Sequence, residues 1–443
     1  MIESRNSTSK NVIDGFATKI VLVALKLAVL VLTAKLYGAD GRGVFITTLT
    51  LVGLCINLSN FGLGDALLQR FAKRGKCAQD YSIFLTGSIL ISSVIGILIL
   101  QISLYFQNTE QLDQANILIM HLLIPTAAVE LLVSLSLRGL GFHHYVNRLS
   151  LLSRALLVVF LTLALFLEVN VLNHFLFWYL IVSNLTAVTT IYLFFKIYKP
   201  NPSLSGFIIK CKILFSRGLS IYPINLLMEF ENRFDVLLLI YLSDPVSLGA
   251  YVTGVSFAQT GFYASNALTA ILTTNFGGKA GINAAELAIK AQRYAIASVI
   301  MIGTVTALFA GVIVFGILGH EFYSSIPIML ILSVGVVADA STRVIASWSK
   351  GQLVSHKFIK PSIFTLFLNF AVCLALLKVC GIFGLAVGSS FGYILRSLFY
   401  LRVFRRQTNN YDSIVPNVRV FHDITDKVMK ISWNYFKSQR KSA

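Results

Sequence analysis

The sequence predicts an all-α, polytopic membrane protein with about a dozen transmembrane helices. Of its 443 residues, 56% are hydrophobic and only 13% are charged, whereas soluble domains carry about 25% charged residues. The mean hydropathy is +0.76. Uncharged runs such as Ile83–Ser103 are long enough to cross the ~30 Å hydrocarbon core as a helix. Period-two alternation is absent from these runs, which argues against an outer-membrane barrel.

The apolar runs divide the chain into twelve predicted spans. The first carries Lys19 and Lys26 and is followed by no small-residue cleavage site, so we interpret it as a retained span and not a signal peptide. The connections on one side are short, Tyr37–Arg42 being the first. The spans are placed at 12–36, 43–70, 82–106, 114–138, 148–168, 172–196, 212–241, 246–275, 292–316, 324–350, 358–378 and 381–403.

Basic residues are distributed unequally between the two sides of this arrangement. The side with both termini carries 27 lysines and arginines, and the other side carries only Arg42 and Lys378. The positive-inside rule therefore places both termini in the cytoplasm. The bias also accounts for most of the +18 net charge, so nucleic-acid binding is not implied.

Several functional classes have no support in the sequence. The chain has no Walker P-loop, no GxSxG motif and no loop long enough for a nucleotide-binding domain, so we predict neither an enzyme nor an ATP-driven pump. The five cysteines have no CxxC spacing, and no metal site or disulfide framework is predicted. No cofactor is expected.

Two weak internal similarities indicate duplication of a six-span unit. Gly43–Thr47 opens the second span and resembles Gly249–Thr253, 206 residues later, at the start of the eighth. Arg138-Gly139 closes the fourth span as Lys350-Gly351 closes the tenth, 212 residues later. Six spans per unit give both copies the same membrane orientation. We therefore divide the chain into an N-lobe (1–200), a C-lobe (201–405) and a basic tail (406–443). The tail is predicted to form an amphipathic helix on anionic membrane lipids.

Charged residues inside the spans are the candidate functional residues, because each is costly at the bilayer centre. Neither Lys26 nor Asp65 is at the end of its span, and neither has an opposite charge one helical turn away in the sequence, so we expect them to face a wet central cavity. The cations considered for substrate binding are Lys26, Arg154, Arg217 and Arg233. The acids considered for ion coupling are Asp65, Glu130, Glu229, Glu231 and Asp235.

Helical spacing pairs some of these charges. Glu229 with Arg233, and Asp339 with Arg343, are i, i+4 pairs. A structural and a functional role are open for both pairs, and the functional role of the second pair would be gating. Glu231 and Asp235 have the same spacing but are both acids. Two carboxylates so close in a poorly hydrated site resist double ionisation, so we expect one to hold a proton near neutral pH.

Short glycine-based motifs resemble a known family. Leu36–Phe45 followed by Asn60–Ala66 resembles the opening of the bacterial polysaccharide exporters, the Wzx-type O-antigen flippases of the multidrug/oligosaccharidyl-lipid/polysaccharide exporter superfamily. Asn232–Leu238 with Gly249–Tyr251 resembles the family's seventh-span segment, and Gly381–Ala386 resembles the turn that opens its twelfth span. The acid-rich Glu229–Glu231 departs from the family pattern.

The resemblance implies two six-helix lobes around a central cavity. It implies that an undecaprenyl-pyrophosphate-linked oligosaccharide is moved from the cytoplasmic to the periplasmic leaflet by alternating access, coupled to H⁺ or Na⁺. The cations named above would then bind the pyrophosphate, since this group requires positive charge in an apolar protein. Other membrane proteins of polysaccharide assembly are candidate partners.

Three alternatives remain. An exporter of drugs or of another lipid-linked or polysaccharide precursor, including a peptidoglycan precursor, would share the fold, although basic cavity charge disfavours organic cations. An O-antigen polymerase or polytopic glycosyltransferase would need a large external loop, and the longest one predicted here is Gln107–Asp113. A non-transporting assembly scaffold would leave the intramembrane charges unexplained.

Overall fold

The chain is an all-α, multi-pass membrane protein. The structure, a computed structural model, describes residues 2–74, 81–106, 113–168, 172–198, 207–263, 265–266, 269, 282–352 and 354–426, and no strand occurs among them. Its helices are α1 (Ile2–Ser59), α2 (Leu63–Arg74), α3 (Ser82–Tyr105), α4 (Gln114–Gly139), α5 (His143–Phe166), α6 (Leu172–Tyr198), α7 (Phe207–Leu242), α8 (Pro245–Ala258), α9 (Ile282–Ile313), α10 (Ser325–Gly351) and α11 (His356–Thr408).

Two of these helices each contain two of the predicted spans. α1 is broken at Gly38 (φ 65°) and α11 at Gly381 (φ 60°), both in the left-handed region that glycine enters at low cost. Within the described chain, counting the halves separately and adding α3 to α10 gives twelve helical segments, one for each predicted span. The predicted connections at Tyr37–Arg42 and Val379–Cys380 are not separate loops. The backbone stays helical on both sides of a single glycine at each place.

The second span differs from its prediction in another way. Residues 43–70 were predicted to be continuous, but a turn at Asn60–Gly62 separates α1 from α2. The Asn60 side chain caps the new helix, accepting from the Gly64 backbone amide at 3.2 Å. The turn lies beside α7, where the Tyr222 hydroxyl donates to the Leu58 carbonyl at 2.7 Å.

The described chain forms two compact units. The first unit comprises Ile20–Thr253 and Ile313–Ser325, and the second comprises Met1–Lys19, Gly254–Val312 and Ile326–Ala443. These units are defined by contacts in space and not by the order of residues along the chain. The division into two repeated lobes at residue 200 concerns duplication within the sequence, and it stays a prediction. α2, α4, α6 and α7 share a core in the first unit that includes Leu67, Phe71, Leu132, Phe194 and Leu214.

The lipid-facing surface explains the composition. On α3, one face is buried through Leu85, Ser92 and Leu100. The opposite face exposes large apolar side chains that acyl chains would cover: Leu90, Ile91, Val94, Leu98 and Ile102. Such a band would promote aggregation in water and is suited to a bilayer. Eight described helices are long and apolar enough to cross a membrane.

Only part of the predicted amphipathic tail is described. Residues 418–426 are helical, and the remainder of the predicted helix, including Val428 and Ile431, lies outside the described residues. The described part contacts α9 within the second unit: Arg293 Nε donates to the Ser413 carbonyl at 2.8 Å, and the Tyr294 hydroxyl donates to Asp423 at 3.0 Å.

Candidate substrate and ion sites

Three of the four predicted substrate-binding cations come together in the first unit. Lys26 on α1 lies within electrostatic range of both Arg154 on α5 and Arg233 on α7. All three side chains are half-buried. Three helices therefore bring like charges together, an arrangement that is unfavourable unless carboxylates or an anionic ligand balance it.

Two carboxylates partly balance this cation cluster. Glu229 Oε1 accepts from Arg233 Nε at 2.8 Å, and Arg233 keeps 43% of its side chain exposed. Glu130 on α4 lies within electrostatic range of Arg154, and both charges also act on Tyr179 on α6. We use "cation cluster" for Lys26, Arg154 and Arg233 with these two acids.

Arg217 lies away from the cation cluster. It is 16 residues before Arg233 on α7, a separation of about 24 Å along a helix that rises 1.5 Å per residue. The predicted substrate set therefore divides into three clustered cations and one distant cation.

Glu231 and Asp235 form a second arrangement on α7. Both are buried, with 5% and 3% exposure, and their position two residues from Glu229 and Arg233 puts them on a different face of the helix. Asp235 Oδ2 accepts from the Tyr251 hydroxyl of α8 at 2.6 Å, and Oδ1 accepts from the Val236 amide at 2.8 Å. Tyr251 belongs to the glycine motif noted in the sequence, but its hydroxyl was not predicted to contact an acid.

Asp65 has a partner that local spacing could not predict. It lies in the first turn of α2, a position that favours a carboxylate electrostatically. Its Oδ2 accepts from Asn225 Nδ2 of α7 at 2.6 Å, a contact between residues 160 positions apart.

The predicted Asp339–Arg343 pair is part of a buried triad in the second unit. Arg343 Nε lies 3.2 Å from Asp339 Oδ2, and Arg396 on α11 donates to Asp339 Oδ1 through Nε at 3.0 Å and Nη2 at 2.6 Å. Arg343 also stacks on the Phe262 ring at 3.6 Å and donates to Asn266 at 3.1 Å. Sequence reasoning missed Arg396, although an arginine inside a predicted span was the available signal.

Comparisons with known proteins place the fold. No family model matches the chain, and no curated protein matches it. An inward-facing multidrug resistance MATE family transporter of the MOP superfamily aligns with a TM-score of 0.62 and 14% identity, covering 90% of this chain and 98% of that one.

A mutant of the Vibrio cholerae MATE transporter VcmN aligns with a TM-score of 0.60 and 15% identity, covering 92% of this chain and 99% of that one. The lipid II flippase MurJ in an inward closed conformation aligns with a TM-score of 0.63 and 12% identity, covering 96% and 92%. The chain has the fold of these transporters. At such low identity the likeness extends to the fold alone.

Proposed function

We propose that the protein is a flippase of this fold. Its substrate would be an undecaprenyl-pyrophosphate-linked oligosaccharide, of the O-antigen kind, moved from the cytoplasmic to the periplasmic leaflet. The observation that carries the proposal is the convergence of Lys26, Arg154 and Arg233 in the first unit. The similar fold of a protein named as a lipid II flippase supports the class of cargo.

The sign of the charge separates this proposal from drug export. A pyrophosphate diester is strongly anionic, and clustered lysine and arginine bind such a group through charge-assisted hydrogen bonds. An organic-cation drug would instead be repelled by these clustered cations. The partial exposure of Arg233, 43% of its side chain, keeps this cation available to a ligand.

Arginine and lysine supply different parts of such a site. The planar guanidinium groups of Arg154 and Arg233 can each bridge two phosphate oxygens, whereas the Lys26 ammonium acts as a point charge. In our proposal, Glu229 holds Arg233 in place before substrate arrives. The incoming pyrophosphate then competes with that carboxylate for the guanidinium.

We further propose that Glu231 and Asp235 couple transport to H⁺ or Na⁺. Both are buried acids one helical turn apart, and their mutual repulsion favours binding one cation between them. The arrival of a pyrophosphate would increase that preference by adding negative charge. Release of the cation on the other side of the membrane would reset the pair.

We place both termini in the cytoplasm of a bacterial inner membrane, because the basic residues concentrate on that side. A reporter fused after residue 410 should signal from the cytoplasm, and a periplasmic signal would contradict the topology.

Deletion of the gene tests the function. The lipid-linked unit should still be made and should accumulate on the cytoplasmic leaflet, because the chain carries no catalytic motif for its synthesis. Sidedness would be measured by accessibility of the lipid-linked sugar to an impermeant probe in intact spheroplasts. A strain that instead exports single, unpolymerised units would show that the protein is a polymerase.

A further inference from the structure

Arg42 was expected in an exposed connection and is instead buried, with 3% of its surface exposed. It follows the Gly38 break on α1 by one helical turn. Its Nε donates to Thr253 Oγ1 of α8 at 2.7 Å, and its Nη1 donates to Thr33 Oγ1 at 3.0 Å. These contacts fix the guanidinium group between the two halves of α1 and α8.

The two side chains that accept from Arg42 in the described part of the chain are both neutral. The Thr253 hydroxyl donates its own proton to the Gly249 carbonyl at 2.8 Å, and Thr33 donates to the Val29 carbonyl at 2.7 Å. Each threonine therefore offers the arginine only lone pairs, and neither supplies negative charge.

No carboxylate in the described part of the chain forms an ion pair with Arg42. Asp40 is exposed on the same helix, and Glu321 accepts instead from the Ala39 backbone amide at 3.1 Å. Arginine stays protonated in proteins, and a buried charge without a counter-charge is strongly destabilising. The site therefore favours an anion.

The packing at this position does not itself need a cation. Gly43 and Gly249, which correspond in the internal repeat, make reciprocal close contacts: a Cβ on Gly43 would clash with the Pro245 carbonyl oxygen, and one on Gly249 would clash with that of Ala39. The residue that corresponds to Arg42 at the same offset of 206 is Leu248, which is 3% exposed. On α8, the position next to this close contact is therefore filled by a buried leucine.

We propose that Arg42 is a second anion site, which binds a phosphate oxyanion of a lipid. It lies four residues from the Gly38 break, whereas Lys26 lies twelve residues from it on the other half of α1. The two cations therefore differ in depth by about 12 Å at 1.5 Å per residue. Arg42 lies nearer the end of the span, where a phosphate group enters or leaves the hydrocarbon region.

Two sources of phosphate fit this chemistry, the pyrophosphate of a lipid-linked substrate and the headgroup of a phospholipid. Only the first source rests on the proposed function. The site itself follows from the burial of Arg42 and from the absence of an ion-pair partner for it among the described residues.

Thermal unfolding of the purified full-length protein in neutral detergent tests the proposal. The starting protein carries Lys26→Ala and Arg233→Ala, so that anion binding to these two cations of the cation cluster cannot explain the result. Inorganic pyrophosphate or phosphatidylglycerol is added in separate arms. We expect a rise of the melting temperature in at least one arm. Arg42→Leu, which places at this position the residue type found at Leu248, should abolish that rise.

Arg42→Leu should also melt higher than its parent when no anion is added, because it removes an unbalanced buried charge. A rise with pyrophosphate identifies the substrate-like group, and a rise with phosphatidylglycerol alone identifies the phospholipid. An anion-dependent rise that persists in Arg42→Leu, or no rise in either arm, overturns the proposal.

Arg42→Gln and Thr253→Val are the matched controls. Glutamine removes the charge but can still donate to a threonine, so it should lose the anion-dependent rise as leucine does. Thr253→Val removes an acceptor and keeps the charge, so it should retain the rise. If neither Arg42→Leu nor Arg42→Gln folds while Thr253→Val does, Arg42 is a structural residue and the proposal is wrong.

Discussion

The cation cluster of the first unit and the buried triad of the second unit (Asp339, Arg343 and Arg396) differ in how far their ion pairs are exposed. In the first unit, Arg233 and Glu229 keep 43% and 27% of their side chains exposed. In the second unit, Arg396 and Asp339 keep 1% and 0%. A partly exposed cluster can exchange partners with a ligand, whereas a buried one is bound to its own protein. Burial therefore distinguishes two groups that look alike in the sequence.

The buried triad should give the largest effect. Asp339→Asn leaves Arg343 and Arg396 buried without their shared carboxylate, and breaking such a pair costs about 3–5 kcal/mol. We expect a strongly lowered melting temperature and reduced protein in the membrane. Unchanged melting together with lost transport would show that Asp339 is a gating residue and would remove the contrast with the first unit.

The acids on α7 should affect coupling more than stability. Glu231→Gln with Asp235→Asn removes both negative charges at nearly constant volume, and the Tyr251 hydroxyl can still donate to the carbonyl oxygen of the new side-chain amide if that amide is suitably oriented. Flipping in reconstituted vesicles should lose its dependence on a proton or sodium gradient, while passive two-way movement continues. If the double variant responds to the gradient as the unmodified protein does, Glu231 and Asp235 are not the coupling site. Asp65 and Glu130 would then be the next candidates.

The smallest effect should come from the exposed pair. Glu229→Gln removes the partner of Arg233 on a half-exposed helix face, where an i, i+4 ion pair contributes about 0.3–0.5 kcal/mol. The melting temperature should change little. A large loss of stability would mean that the cation cluster is as structurally important as the buried triad.

The i, i+4 spacing in the sequence correctly predicted the ion pairs that form within a single helix. Glu229–Arg233 and Asp339–Arg343 both form as i, i+4 contacts. The glycine motifs at Gly38 and Gly381 also mark real breaks, because the left-handed backbone there favours glycine.

Spacing along the sequence could not predict which residues of different helices come into contact. The convergence of Lys26 with Arg154 and Arg233, and the addition of Arg396 to Asp339, depend on how distant spans pack. Arg42 was misplaced because a short polar stretch between two apolar runs reads as an exposed loop, while the backbone instead stays helical around one glycine.

The most direct test of the account compares Lys26→Ala, Arg233→Ala and Lys26→Arg. Surface polysaccharide and flipping in vesicles would be measured at matched protein level, with melting temperature as the control for folding. We predict that both alanine variants lose export with little change in melting, and that Lys26→Arg retains more activity because it keeps the positive charge. Normal export in both alanine variants would contradict the assignment of this cluster as the substrate site.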